Sequence, residues 1–289
     1  MPASAGWRIL VLLVKFQRII LAFVLLGLAA NAFAHGEVHD RINALTAEIA
    51  RAPSNAPLYF QRAELYRIDG DFTNALTDLN RAAEVDPSLR RVDFCRGRVL
   101  FEADRPQEAL APLNKYLANR PDDSEAFMTR ARVLRKIGNY KPAAEDYTTA
   151  IQQAHTASPE LFIERADSFR GLGKLEEAIR GLDEGIRKMG PLVTLQLPAI
   201  DLEVALKRYD AALARIDTVM ARLQRKETWL MRRAEVLKQA GREEEAKKNY
   251  RDALAALDRL PPSHRGTRAT LDLEMRLRTA LATNAPSVR

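Results

Sequence analysis

The sequence predicts an all-α chain, a solenoid of about six helix-turn-helix repeats with capping helices. Three observations predict it. The phrase Arg62-Ala63 recurs as Arg96-Gly97, Arg130-Ala131 and Arg165-Ala166 at a step of 34 or 35 residues, and again as Arg233-Ala234 two steps further on. Twelve residues after the eighth place of every repeat stands an alanine: Ala75, Ala109, Ala143, Ala178, Ala212 and Ala246. Glycine marks a turn between these points at Gly70, Gly138, Gly173 and Gly241. Self-similarity at such a period is the mark of stacked supersecondary units, and it decides the fold before any single element is considered.

In the first repeat, Tyr59, Ala63 and Tyr66 fall on one helical face, and Phe72, Ala75, Leu76 and Leu79 form a second apolar stripe after Gly70. The glycine adopts a left-handed turn without steric strain, and Asp86-Pro87 ends the second helix. Small residues at 63 and 75 suit two helices at their closest approach. A single pair cannot bury its own stripe, so neighbours must stack into one continuous core. The repeats are 56–89, 90–123, 124–157, 159–192, 193–226 and 227–260. In the second, Asp104 stands at the turn. The fifth departs furthest: Ile200 replaces the small residue and Lys207 the glycine, and Pro198 is expected to delay or kink its first helix. Residues 35–55 and 261–289 flank the array, and each holds an amphipathic helix, over Asp40–Ala52 and Thr267–Ala282, that suits an end cap.

These repeats resemble the tetratricopeptide repeat family over residues 56–260. The carriers in the first repeat are Tyr59, Ala63, Tyr66, Gly70, Phe72, Ala75, Leu79, Ala82 and Pro87. The third and fourth follow the same pattern through Phe127, Ala131, Leu134, Gly138 and Tyr140, and through Phe162, Ala166, Phe169, Gly173 and Leu175. The resemblance implies a right-handed superhelix whose first helices line a concave groove through the fifth, ninth and twelfth places of each repeat. The partner-binding residues so implied are Phe60, Glu64, Arg67, Phe94, Arg98, Met128, Arg132, Arg135, Ile163, Asp167 and Arg170. On this phase Arg98, Arg132 and Arg135 gather mid-groove, where guanidinium forks suit an acidic protein or peptide segment. The lysine and asparagine pattern of the family's chaperone-binding subclass is missing. The arginines of the seventh place form a ladder of their own, and Asp78 and Asp146, sixteen residues after Arg62 and Arg130, are expected to pair with them inside the repeat.

The first 34 residues read as a secretory signal peptide. Arg8, Lys15 and Arg18 precede an apolar run over Ile19–Leu28, and Ala32-Phe33-Ala34 fits the small-x-small cleavage pattern. The alternative is an uncleaved anchor on an assembly factor, although Ile19–Ala34 falls short of the ~20 residues that span a bilayer. The expected destination is exported, periplasmic or extracellular. Residues 35–289 carry 42 Lys and Arg against 38 Asp and Glu, an excess of 4 with both signs interspersed. No nucleic-acid partner is implied, because such proteins concentrate their basic charge. Cys95 is the sole cysteine, which excludes an intrachain disulfide, and it reads as a buried small apolar residue.

No metal-protease helix, phosphate-cradling loop or nucleophile elbow occurs, so neither an enzyme nor a cofactor is expected. Cleavage after Ala34 would expose His35, with His39 four residues on, as a metal site for copper or zinc. That is the alternative to an exported scaffold in a cell-envelope complex.

Overall fold

The computed structural model describes residues 36–282, all of it helix, turn and loop. Residues 1–34, expected to form a signal peptide, and His35 lie outside the described residues. Helix α1 covers residues 36–51. Six pairs follow: α2 (Ala56–Asp69) with α3 (Phe72–Val85), α4 (Val92–Glu102) with α5 (Pro106–Asn119), α6 (Ser124–Lys136) with α7 (Tyr140–Gln153), α8 (Pro159–Gly171) with α9 (Leu175–Met189), α10 (Val193–Ala205) with α11 (Tyr209–Met220), and α12 (Glu227–Gln239) with α13 (Glu243–Asp258). A single turn, α14 (Pro262–Arg265), and α15 (Arg268–Ala282) close the chain. The helices group into two compact units, one ending at Pro121 and the other beginning at Asp122.

Within each pair the helices meet through the small residues of the eighth and twentieth places. Ala63, Ala131, Ala166 and Ala234 are at most 4% exposed, and all six alanines of the twentieth place are wholly buried. In the second pair Gly97 is close enough to Leu113 that any added Cβ would collide with it. Ile200 takes this place in the fifth pair and is likewise wholly buried, opposite Ala212.

The six turns share one geometry. The residue at the fifteenth place is left-handed in each, with φ of 82° at Gly70, 82° at Gly138, 71° at Gly173 and 74° at Gly241. The next N–H then returns to the carbonyl five residues back, as Asp71 to Tyr66 at 2.8 Å, Asn139 to Leu134 at 2.8 Å and Arg242 to Leu237 at 2.9 Å. Asp104 and Lys207 adopt the same conformation with φ of 55° and 57°, and Arg105 and Arg208 make the same return bonds at 2.9 and 2.8 Å. The backbone bonds and the packing of the pair therefore impose the turn even where a side chain resists it.

Pro198 does not delay its helix. α10 begins at Val193, the first place of its repeat, and runs through the proline to Ala205. The ring removes one hydrogen bond, to the carbonyl of Thr194, and Thr194 is exposed so that water can serve instead. Pro112 sits inside α5 in the same way, above exposed Glu108. In the first unit, Ile42 and Ile49 of α1 are buried, and Arg62 on α2 donates to the Thr46 hydroxyl at 2.9 Å. In the second, Leu277 of α15 is wholly buried in the same core as Leu237, Tyr250 and Leu257.

Lys207→Gly should stabilise the fold by about 0.5–1 kcal/mol, because relief of left-handed strain exceeds the entropy that glycine adds to the unfolded chain. A thermal melt checks this. Ala143→Leu should destabilise by about 1–3 kcal/mol, since the contact has no room for added methylenes, and chemical denaturation would show the midpoint fall.

Candidate functional site

The arginine ladder of the seventh place is built into the hairpins. Arg62 donates to both carboxylate oxygens of Asp78 at 2.7 and 2.8 Å, and Arg130 does the same to Asp146 at the same distances. Each guanidinium also lies over an aromatic ring of the fourth place, Arg62 over Tyr59 and Arg130 over Phe127. In the fourth repeat Gly181 replaces the aspartate, and Arg165 turns to the Gly181 carbonyl at 3.3 Å and Glu184 at 2.6 Å. In the second, Pro112 occupies that place and Arg96 pairs instead with Asp93 at 2.8 Å. The expected pairings within repeats one and three are therefore present, and these arginines are structural.

The groove-phase residues of the first unit divide into paired charges and an apolar cleft. Glu64 accepts from Arg98 across the repeat boundary and from Arg67 at 3.3 Å, while Arg67 also reaches Glu102 at 3.0 Å. Burial pushes the Glu64 carboxyl up, but Arg98, a hydrogen bond from Cys95 and Arg67 outweigh it and hold the group below the ordinary carboxylate range. The Cys95 thiol is buried, and burial together with Glu64 pushes its pKa up to about 12, which leaves it inert as a nucleophile. Phe94 does not line a groove. It is wholly buried, its ring 5.4 Å from that of Tyr116, with Arg91 and Arg98 over its faces.

Phe60 does stand at the surface, in a cleft of ≈ 520 Å³ between α1 and α2. Leu45 and Glu48 of α1 form one wall, and Phe60, Leu65 and Ile68 of α2 form the other. Ile68 is 58% exposed and leaves apolar surface open at this cleft. The wall supplied by α1, and Ile68 at the thirteenth place, are absent from the set drawn from the sequence. The Ile42, Leu45, Ile49 stripe held the signal, because only Ile42 and Ile49 of the three are buried.

In the second unit Met128 and Ile163 are half-buried. Arg132 donates to both oxygens of Glu164 at 3.0 and 3.1 Å, and Arg170 pairs with Asp167 at 2.9 Å. Arg135 faces the hydroxyl of Tyr147, whose pKa burial and Glu164 push up to about 12. The expected cluster of three arginines is thus shared between the units, with Arg98 in the first and Arg132 and Arg135 in the second. His39 on α1 stands 3.7 Å from Asp69. Among the described residues no three His, Cys, Asp or Glu side chains gather as a metal site, and no helix is long and apolar enough to cross a membrane.

Residues 60–124 and 94–160 match the tetratricopeptide repeat family. A tetratricopeptide repeat protein from Parabacteroides merdae superposes with a TM-score of 0.53 over 86% of this chain and 92% of that one, at 18% identity. The C-terminal part of a repeat-containing protein from Cytophaga hutchinsonii superposes with a TM-score of 0.65 over 82% and 94%, at 13% identity. This chain carries tetratricopeptide repeats over residues 60–160.

At such identities the structures share the fold alone. Among curated relatives, human "WD and tetratricopeptide repeats protein 1" is 33% identical over 34% of this chain and 15% of its own length. The rice "Protein SGT1 homolog" is 31% identical over 48% of this chain and 38% of its own. The chain thus spans well under half of these relatives, and the repeats that it carries mark a protein-interaction scaffold.

Arg98→Ala should lower stability by about 1 kcal/mol, because it leaves half-buried Glu64 short of a partner in a solvent-screened pair. The loss should shrink as pH falls through the depressed Glu64 pKa, where protonated Glu64 no longer needs the guanidinium. Urea denaturation of both proteins across that range checks it.

Proposed function

We propose that this protein is a non-catalytic, exported scaffold that holds a protein segment on the face formed by the first helices of its repeats, within a cell-envelope complex. The apolar cleft of the first unit carries this reading. Phe60, Leu65 and Ile68 line one side of a space large enough for apolar side chains of a docked segment, with Arg41 and Glu48 as charged rim. Clefts of this kind, an apolar floor with a few polar groups at the edge, are where peptides dock. In the first unit, the ion pair of Glu64 with Arg98 keeps the first-helix surface beside this cleft hydrated while nothing is bound.

Export rests on the order of charged, apolar and small residues in the first 34 positions. Sequencing the N-terminus of the protein recovered from the envelope distinguishes cleavage after Ala34 from a retained anchor. Ile68→Asp should leave the melting temperature nearly unchanged, because the side chain is already exposed, yet reduce capture of the partner from an envelope extract at least tenfold. Undiminished capture by that variant would remove the cleft from the reading.

A further inference from the structure

At the starts of the second helices in the second unit, charge is matched across repeat boundaries at two fixed places. The eighteenth place of one repeat meets the sixteenth of the next: Arg208 donates to Glu176 at 2.9 Å, and Arg242 to Asp210 at 2.9 Å. At the boundary between the third and fourth repeats the same two places hold Lys141 and Lys174. Two cations thus stand where each later boundary has an arginine and a carboxylate. Neither lysine makes an ion pair among the described residues.

A second place differs at the same boundary. The twenty-first place is Leu76, Leu110, Ile179 and Leu213 in four repeats, but Ala144 in the third. Beside Ala144 lies a dent of ≈ 320 Å³, between α7 and the turn from α8 to α9. Ala144, half-buried Phe169 and Leu172 give it an apolar lining, and exposed Lys141, Lys174 and Glu145 border it. Thr148 borders it too, but donates its hydroxyl proton to the Ala144 carbonyl at 2.7 Å. Two lysines against one glutamate leave a single positive charge over, which one carboxylate cancels. Leu172 is the only exposed large apolar side chain among those that border the dent, so no apolar track leads away from it for a polypeptide to follow.

We propose that this dent is a binding site for a small aliphatic carboxylic acid in its ionised form. The carboxylate takes, between Lys141 and Lys174, the place that Glu176 and Asp210 fill at the later boundaries. The aliphatic body takes the volume that leucine or isoleucine fills in the other repeats. The eighteenth and twenty-first places are three residues apart on one helix and so share a face, about 5–6 Å from each other, a span that isocaproate bridges. The lysines attract the anion as point charges, and burial of the branched body separates this ligand from shorter acids. The site lies wholly in the second unit and stands apart from the cleft of the first.

Ligand-observed NMR titrations of the full protein test this with four probes: isocaproate, isocaproamide, acetate, and a short peptide ending in leucine with a free carboxylate. Isocaproate should bind about tenfold tighter than the amide, which lacks the charge, and than acetate, which lacks the body. Lys141→Glu should abolish the preference and keep or raise the melting temperature, because it recreates the ion pair of the later boundaries. Ala144→Leu should abolish it by filling the dent, with helicity intact by circular dichroism. Lys174→Gln, at an exposed position, should weaken isocaproate by about fivefold. Equal binding of isocaproate, amide and acetate overturns the proposal, and so does a full preference in Lys141→Glu or Ala144→Leu. Tighter binding of the peptide than of isocaproate overturns it in favour of a protein chain end. Absence of isocaproate binding at millimolar concentration overturns it outright.

Discussion

Close approach of two helices at a pair of small residues is the constraint on which the rest of this protein depends. Wherever the eighth place meets the twentieth, the side chains are alanine or glycine in five pairs of six, and they are buried almost without remainder. That contact sets the spacing of the hairpin. The spacing in turn brings Arg62 within bidentate reach of Asp78, and Arg130 within reach of Asp146. It also fixes the turn so firmly that Asp104 and Lys207 accept a backbone conformation that L-residues avoid. Energetically, the apolar contact comes first, and the polar ladder is arranged on the frame it provides.

Much of this was legible in the sequence, for a physical reason. A contact that admits only alanine or glycine leaves a mark at a fixed spacing, and so does an arginine facing an aspartate sixteen residues on. The two proline-bearing helices were less legible. Whether an interior proline breaks a helix depends on what happens to the carbonyl four residues back, and the exposure of Thr194 and Glu108 is a tertiary fact. Phase alone also misplaced Phe94. The fifth place faces outward in Phe60 but is sealed in Phe94 by Tyr116 and two guanidinium groups. The contribution of α1 to the cleft lay beyond any reading based on the repeat, because α1 is not part of the repeat.

Charge pairs on the first helices span the repeat boundaries within each unit. In the second unit the ninth place of one repeat meets the sixth of the next, as Arg132 with Glu164, and in reversed polarity as Asp201 with Arg232; in the first, Glu64 at the ninth place meets Arg98 at the ninth of the next. The twelfth meets the thirteenth, as Arg67 with Glu102. Residues that look like a basic patch on a list of positions are therefore largely neutralised in pairs, and the few that are not paired stand out. At the starts of the second helices Lys141 and Lys174 are conspicuous by this standard, because the same two places hold an ion pair at both later boundaries.

The two non-glycine turns have a consequence for how the molecule comes apart. In a linear stack each repeat is stabilised by itself and by its neighbours, so loosening begins at the least stable link and not of necessity at the ends. Asp104 and Lys207 place strain in the second and fifth hairpins, and neither is a terminal repeat. Amide protons in α10 and α11 should then exchange with solvent sooner than those of α12 and α13, which the closing helix α15 covers. The array has an interior seam, where opening could expose buried surface while its capped end stays shut.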